Sequence, residues 1–202
     1  HNNQGFEALT LVGDETLVAG TEGPLLQDQP PPTGELVRSR LLRWDLRRPA
    51  LPAQWLYPLD PPHAVPTEPD GVQVAGLVDL LPWDGRLLAL ERSYVAGVGT
   101  AVKLYETTFA GVAAVDEEAL ARRRAPTLRK RLLLDLAALG APIDNYEAMS
   151  WLPAAGGKRL LVILCDNNFS PTEQTHMLAV ALDARPELPQ APLADPAPAP
   201  AN

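Results

Sequence analysis

The chain has 202 residues, of which 46% are hydrophobic, so it is long enough and apolar enough to bury a core. Its 25 acidic and 17 basic residues give a net charge of −8, which argues against nucleic acid as a partner, because recognition of that backbone needs clustered Lys and Arg. The single cysteine, Cys165, excludes an internal disulfide, and no stretch approaches the roughly 18 consecutive apolar residues that membrane insertion requires.

Three segments of the chain share one plan, in which an apolar strand, a polar turn and a second apolar strand are followed by an acid. They span residues 5–23, 75–93 and 145–168, and the closing acids are Glu22, Glu91 and Asp166. These acids recur about every 70 residues, and self-similarity at such a period indicates a repeat architecture.

Further β-like segments follow each hairpin. They lie at residues 36–46 and 53–60 in the first repeat, at 100–109 and 130–136 in the second, and at 175–183 in the third. Four strands per repeat are the unit of a propeller blade, and the third repeat lacks its fourth strand.

The pattern therefore predicts an all-β protein, a β-propeller with about three blades in this chain. The blades lie at about residues 5–60, 75–136 and 145–183, and residues 184–202 form a Pro/Ala-rich tail that we expect to be disordered. Three blades leave open flanks, so either this is the C-terminal half of a longer chain or an assembly completes the ring. The alternative is a β-sandwich of about 10 strands, which explains the acids at corresponding positions less well.

Acids lie at both ends of the predicted hairpins. In an antiparallel hairpin the start of the first strand and the end of the second lie side by side. In the second repeat, counting back from Glu91 places Gly76 opposite it, so that repeat supplies one carboxylate. If the hairpins are the inner strands of blades, five acids meet at one mouth of the central channel: Glu7, Glu22, Glu91, Glu147 and Asp166.

Five neighbouring carboxylates repel one another unless a cation is present, and calcium is the ion that accepts carboxylate and amide oxygens in irregular geometry. Asn145 lies beside these acids as a further oxygen donor. The hypothesis is a calcium site, with Phe169 turned inward as a plug. Two alternatives stay open: strand ends are simply where polar residues sit, or "CDNNF" (165–169) is an Asx-type turn that caps backbone N–H groups without metal. The predicted metal ligands are Glu7, Glu22, Glu91, Glu147, Asp166, Asn167 and Asn168.

Other motifs give no site. The three histidines are scattered without partner spacing, and no G-x-S-x-G elbow or phosphate-binding glycine loop is present. The basic run "RRRAPTLRKR" at residues 122–131 is interpreted as a solvated loop rather than a phosphate track.

The segments "NNQGFEALTL", "LVAGTEGPL", "LLALERS", "NYEAMSWLP" and "CDNNF" together resemble the phytase-like domain family, which is also described as having esterase-like activity of phytase. The resemblance covers residues 1–183. It implies a six-bladed propeller related to calcium-dependent β-propeller phytases. It also implies a bacterial protein that is secreted or periplasmic, and N-terminal blades of the same protein that are missing from this chain.

A fold shared with phytases does not fix the chemistry, and two functions stay open. The first is a calcium-dependent hydrolase that acts on a small-molecule phosphate ester at the channel mouth, with water as the nucleophile. Arg92, directly after Glu91, is the nearest basic residue for substrate binding, and an ion pair that holds the mouth together is an equal alternative for it. The second function is a non-catalytic cell-envelope propeller with structural calcium and a binding role. Basic residues at the mouth would favour the first, since a phosphate needs them and a structural calcium does not.

Overall fold

The computed structural model describes residues 4–29, 36–48, 50–116, 120, 125–171 and 173–182. Eleven β-strands dominate the regular structure of these residues, and short 3-10 turns accompany them. The all-β prediction is therefore confirmed, whereas the predicted tail at residues 184–202 lies outside the described residues. No helix in the described part of the chain is long and apolar enough to cross a bilayer.

The strands form three separate antiparallel sheets, in each of which the strands pair in chain order. Sheet 1 contains β1 (Phe6–Val12), β2 (Thr16–Thr21), β3 (Arg38–Asp45) and β4 (Ala53–Pro58). Sheet 2 contains β5 (Gln73–Trp83), β6 (Arg86–Val95), β7 (Gly99–Thr108) and β8 (Arg129–Asp135). Sheet 3 contains β9 (Tyr146–Pro153), β10 (Arg159–Cys165) and β11 (Met177–Ala181).

A two-residue turn closes the central hairpin between β5 and β6. Asp84 and Gly85 both have positive φ, 45° and 72°. Two such residues in succession define the tight turn whose twist matches that of paired strands, and an Asp-Gly dipeptide adopts it at little cost. The sequence "WDGR" thus fixes the register of β5 against β6, with Trp83 opposite Arg86.

Sheet 2 is buried on both faces. In β6, four consecutive residues, 87–90, are apolar and buried. Along β6, Leu87 and Ala89 belong to the core shared with sheet 1, whereas Leu88 and Leu90 belong to the core shared with sheet 3. Period-two alternation sends these side chains to opposite faces. Sheet 2 is therefore the middle layer of a three-sheet stack.

The first strands of the three sheets lie side by side. β5 contacts β1 on one side and β9 on the other. The amide of Leu77 in β5 donates to the carbonyl of Glu22, the residue just after β2, at 2.9 Å. A Cβ on Gly76 would lie 2.4 Å from the Cγ of Glu22, so glycine is needed for this approach. On the other side of β5, the Asp79 Oδ2 accepts a hydrogen bond from the amide of Met149 in β9 at 2.5 Å.

Each of these first strands contains a register shift at the corresponding position. The shifts lie at Glu7 in β1, at Val78 in β5 and at Glu147 in β9. Such a bulge inserts one residue, so counting along an uninterrupted hairpin misplaces the partners beyond it. The predicted pairing of Gly76 with Glu91 is wrong, since Gly76 pairs with Arg92.

The strand pairing on either side of the bulges shows which residues correspond between the repeats. Asp166 donates its amide to the carbonyl of Asn145, and Glu22 donates to Gly5, so both acids lie just beyond the end of the second strand. The residue at this position in sheet 2 is Arg92, one place after Glu91. The corresponding residues of the three repeats are therefore Glu22, Arg92 and Asp166.

Candidate functional site

A cavity of about 680 Å³ lies beside the bulges, at the edge where the three first strands meet. Polar side chains from all three sheets and from their connections line it. Among the described residues of its wall, five carboxylates face one guanidinium, so the charge balance is strongly negative. These charged residues are Glu7, Glu22, Asp144, Glu147, Glu173 and Arg92.

Arg92 connects the three sheets at this cavity. Its Nη1 donates to the Glu147 Oε1 at 2.7 Å and to the Asn145 Oδ1. Glu147 lies in β9 of sheet 3, and Asn145 immediately precedes that strand. Its Nη2 donates to the Glu22 Oε1 of sheet 1 at 3.3 Å. Arg92 itself extends from β6 of sheet 2. One side chain thus binds groups that lie 70 and 55 residues away along the chain.

Burial and neighbouring charges act on Glu22 in opposite directions. Burial raises the pKa of this carboxyl above its usual value, and the negative charges of Glu7 and Glu147 raise it further. The Arg92 guanidinium lowers the same pKa, by its charge and by its hydrogen bond, but the net direction remains upward. Arg92 therefore offsets only part of the effect that burial and the neighbouring carboxylates have on Glu22.

The family model described as phytase-like, esterase-like activity of phytase, matches residues 1–169. The chain belongs to the phytase-like family. No curated protein and no solved structure gives a significant match.

The cavity of this phytase-like chain contains several of the predicted site residues but not all of them. Glu7, Glu22, Glu147 and Asn168 line it together with Arg92. Asn168 donates from Nδ2 to the Glu173 Oε2 at 2.9 Å. The other predicted ligands, Glu91, Asp166 and Asn167, are not part of the cavity wall.

The "CDNNF" segment of the phytase-like chain forms a turn capped by its own side chain. The Asn167 Oδ1 accepts a hydrogen bond from the amide of Phe169 at 3.2 Å, and the Asn167 carbonyl accepts one from Ser170 at 2.7 Å. Asn168 and Phe169 have φ of 48° and 54°, a conformation that asparagine tolerates well. Asn167 therefore has the capping role of the Asx-turn alternative.

The predicted inward plug at Phe169 is wrong. The Phe169 side chain is 99% exposed, because the left-handed turn points it away from the sheets. Asp166 is exposed as well. The acid and two amides after the buried strand thus have three different environments rather than one.

Glu91 belongs to a second polar cluster, which lies between sheets 1 and 2. Its Oε1 accepts hydrogen bonds from the Tyr57 Oη at 2.6 Å and from the Lys130 Nζ at 2.5 Å. Its Oε2 accepts one from the amide of Asp60 at 3.0 Å. The Asp60 carboxylate in turn binds the Lys130 Nζ at 2.7 Å and the Tyr105 hydroxyl. Every oxygen of Glu91 is thus satisfied inside the protein.

The pKa values of two carboxyl groups in this second cluster are shifted in opposite directions. Burial raises the pKa of Glu91 despite the opposing charge and hydrogen bond of Lys130. For Asp60, which is less buried, burial is outweighed by hydrogen bonds from Lys130 and Tyr105, and the pKa is lowered. Lys130 thus binds both carboxyl groups inside the protein.

Sequence reasoning missed the second cluster because it interpreted residues 122–131 as a solvated loop. Lys130 lies in β8, and its side chain is only 12% exposed. Its ammonium also lies 4.1 Å from the centroid of the Tyr105 ring. Of the basic run, residues 122–124 lie outside the described residues. The only signal for burial was the strand prediction for residues 130–136.

The oxygen atoms that line the cavity match the ligand types of calcium, but not its usual ligand spacing. Carboxylate and amide oxygens are the ligands that this ion prefers, so the residue types fit. Within the described ranges, no three His, Cys, Asp or Glu side chains are grouped closely enough to hold a metal ion. The positive charge between Glu22 and Glu147 is instead the Arg92 guanidinium. Binding of calcium would therefore require these acids to move toward the ion.

Proposed function

We propose that the three sheets are neighbouring blades of a six-bladed β-propeller, with β1, β5 and β9 next to the central channel. The strand order of each sheet, the contact between successive first strands and the double burial of sheet 2 support this arrangement. The remaining blades would precede this chain in the same protein. The cavity beside Arg92 would then be one part of the channel mouth.

The proposed activity is calcium-dependent hydrolysis of phosphate esters at this mouth. The observation that carries the proposal is a cavity in a phytase-like chain with five carboxylates and one guanidinium in its described wall. A phosphate ester is an anion, so such a cavity repels it unless bound cations reverse the local charge. Calcium is the divalent cation best matched to these oxygen donors.

The residues that would hold the ion are Glu7, Glu22, Glu147 and Asn168, which already line the cavity. When bound, calcium supplies positive charge for the phosphate oxygens and favours ionisation of an attacking water. Arg92 orients Glu22 and Glu147 by direct hydrogen bonds, and its guanidinium is the only described cation of the wall that could contact a phosphate oxygen. The carboxylates that face the cavity exclude anions that arrive without metal.

A second candidate is a non-catalytic propeller of the cell envelope with structural calcium. The observation that favours it is the use of both terminal nitrogens of Arg92 in contacts with Glu22, Asn145 and Glu147, which makes this residue a link between sheets. For either candidate we propose a secreted or periplasmic location.

Calcium titration of the chain, by calorimetry and by melting temperature, tests the metal directly. Binding to the folded state should raise the melting temperature by mass action. Glu7→Gln should weaken calcium binding at least about 10-fold, since it removes a charge without breaking an Arg92 contact. Asp14→Asn, an exposed acid in the β1–β2 turn, is the matched control. Asp166→Ala should retain the calcium response, because Asp166 lies outside the cavity wall.

Activity is tested with a phosphate monoester and a carboxyl ester, each with calcium and with chelator. Calcium-dependent release of phosphate that Glu147→Gln abolishes supports the hydrolase. Calcium binding without turnover supports the structural alternative. A chain that binds no calcium at millimolar concentration contradicts both.

A further inference from the structure

We propose that Ser93 and His63 form a nucleophile–base pair that transfers the acyl group of a small carboxyl ester to water. Ser93 lies two residues after Glu91, so it is on the face of β6 that is turned toward sheet 1. Arg92, which lines the cavity, is on the other face of this strand. The inference is independent of calcium and of phosphate esters.

His63, in the connection between β4 and β5, approaches the Ser93 hydroxyl with two groups. The Ser93 Oγ lies 2.8 Å from the Nδ1 of the imidazole, and it accepts a hydrogen bond from the His63 backbone amide at 3.1 Å. With the ring proton on Nε2, Nδ1 accepts the hydroxyl proton, as in a serine activated by an adjacent general base. The amide also stabilises the negative charge that develops on Oγ as this proton leaves.

The residues beside Ser93 set the size of the group that can reach it. Ser93 pairs with Ala75 of β5 and with Ala101 of β7. Directly paired residues project from the same face of a sheet, so a methyl group flanks the hydroxyl on each side. His63 is exposed and both alanines are partly exposed, whereas Ser93 itself is 9% exposed. A short acyl group such as acetyl therefore suits this site better than a long one.

The proposed reaction has two steps, and each uses the same two side chains. In the first, the Ser93 Oγ bonds to the carbonyl carbon while its proton passes to the His63 Nδ1. The ester C–O bond then breaks, and the alcohol leaves with that proton. In the second, a water molecule gives a proton to Nδ1 and bonds to the acyl carbon. The acid leaves as Oγ recovers the proton, so the net reaction is ester and water to acid and alcohol.

A cap that holds the connection on β6 is the alternative role for the same contacts. The bond from the His63 amide to Ser93 lies beside the bond from the Asp60 amide to Glu91, and both attach this connection to sheet 2. A cap needs the backbone amide and the serine hydroxyl, but it needs no base in the side chain. His63→Gln separates the two roles, because glutamine keeps the amide and a side-chain acceptor but is not a base.

Covalent labelling with methanesulfonyl fluoride, a small serine-reactive probe, followed by peptide mass spectrometry, is the test. The parent should gain a methylsulfonyl group on Ser93, with fluoride as the leaving group. Ser93→Ala should lose this label, and His63→Gln should react at least about 100-fold more slowly, because a general base contributes about 10²–10⁴-fold. Ser150→Ala and His176→Gln are the matched controls and should react like the parent. Far-ultraviolet circular dichroism verifies that each variant retains its sheets.

Turnover is measured with 4-nitrophenyl acetate in the presence of chelator. The parent should release nitrophenolate in a burst, followed by slower turnover, and Ser93→Ala should lack the burst. A parent chain that methanesulfonyl fluoride leaves unmodified, or modifies only at another residue, overturns the proposal. So does a His63→Gln chain that reacts like the parent, since the contacts then form only a cap. Because chelator is present throughout, such a failure leaves the calcium-dependent release of phosphate as a separate question.

Discussion

Replacement of Arg92 by methionine removes the guanidinium that joins the three sheets but keeps most of the apolar stem. Glu22, whose side chain is 7% exposed, then loses its only described cationic partner beside two other carboxylates. Removal of one partner of a buried pair typically costs about 3–5 kcal/mol. Because the side chains of Arg92 and Glu147 are 20% and 37% exposed, solvent screens part of this loss, and we expect about 2–3 kcal/mol of destabilisation at neutral pH.

The pH dependence of this loss identifies its electrostatic origin. The pKa of Glu22 is already raised by burial, and Arg92 is the main group that lowers it, so the variant should have a still higher pKa at this position. A carboxyl whose folded pKa exceeds its unfolded value stabilises the protein in its protonated form, and this contribution is lost as pH rises through the folded pKa. The deficit of Arg92→Met should therefore shrink as pH falls from neutrality toward the usual carboxyl range near 4.5.

Urea denaturation at several pH values measures both effects. Arg47→Met is the matched control, because Arg47 forms an ion pair with Glu15 while its side chain is 71% exposed, and its loss should cost less than about 0.5 kcal/mol. A deficit of Arg92→Met that is equally small, or that stays constant with pH, would refute the reasoning. In that case the contacts of Arg92 contribute packing and not charge compensation.

Three further changes test other parts of the structure. Lys130→Met should destabilise the chain by about 3 kcal/mol in thermal or urea unfolding, because Glu91 would remain buried without its cation. Burial raises the pKa of Asp79 from 3.8 to about 6, so the parent should lose roughly 2 kcal/mol of stability as pH rises from about 4 to about 6. Asp79→Asn should lack this slope in pH-dependent unfolding. Asn167→Ala should cost about 1 kcal/mol through loss of the cap on the Phe169 amide, and hydrogen exchange of that amide should accelerate.

The strands and their grouping into three sheets could be predicted from the sequence because they depend on local alternation. The position of Glu91 could not. Glu91 occupies the register position of Thr21 and Cys165, so Arg92 rather than Glu91 takes the position of Glu22 and Asp166. Since side chains alternate across a sheet, an error of one residue moves a predicted ligand to the opposite face.

The second cluster was missed for a different reason. Glu91 and Lys130 are separated by 39 residues, and Asp60 joins them from the connection after β4. No local sequence pattern predicts a contact between residues so far apart, and a lysine in a basic run is normally solvated. Only the packing of sheet 1 on sheet 2 brings the three charges together, with Tyr57 and Tyr105 as the surrounding rings.

The triple contact of Arg92 also has a consequence for the order in which the chain acquires its structure. Glu22 and Arg92 come from the first two sheets, so they can meet before the third sheet exists, whereas Glu147 is 55 residues further on. Synthesis proceeds from the N-terminus, so the first two sheets can fold before the residues of the third are available. During synthesis on the ribosome, the Glu22–Arg92 pair can therefore form early, and the cavity gains its third wall only when β9 docks on β5.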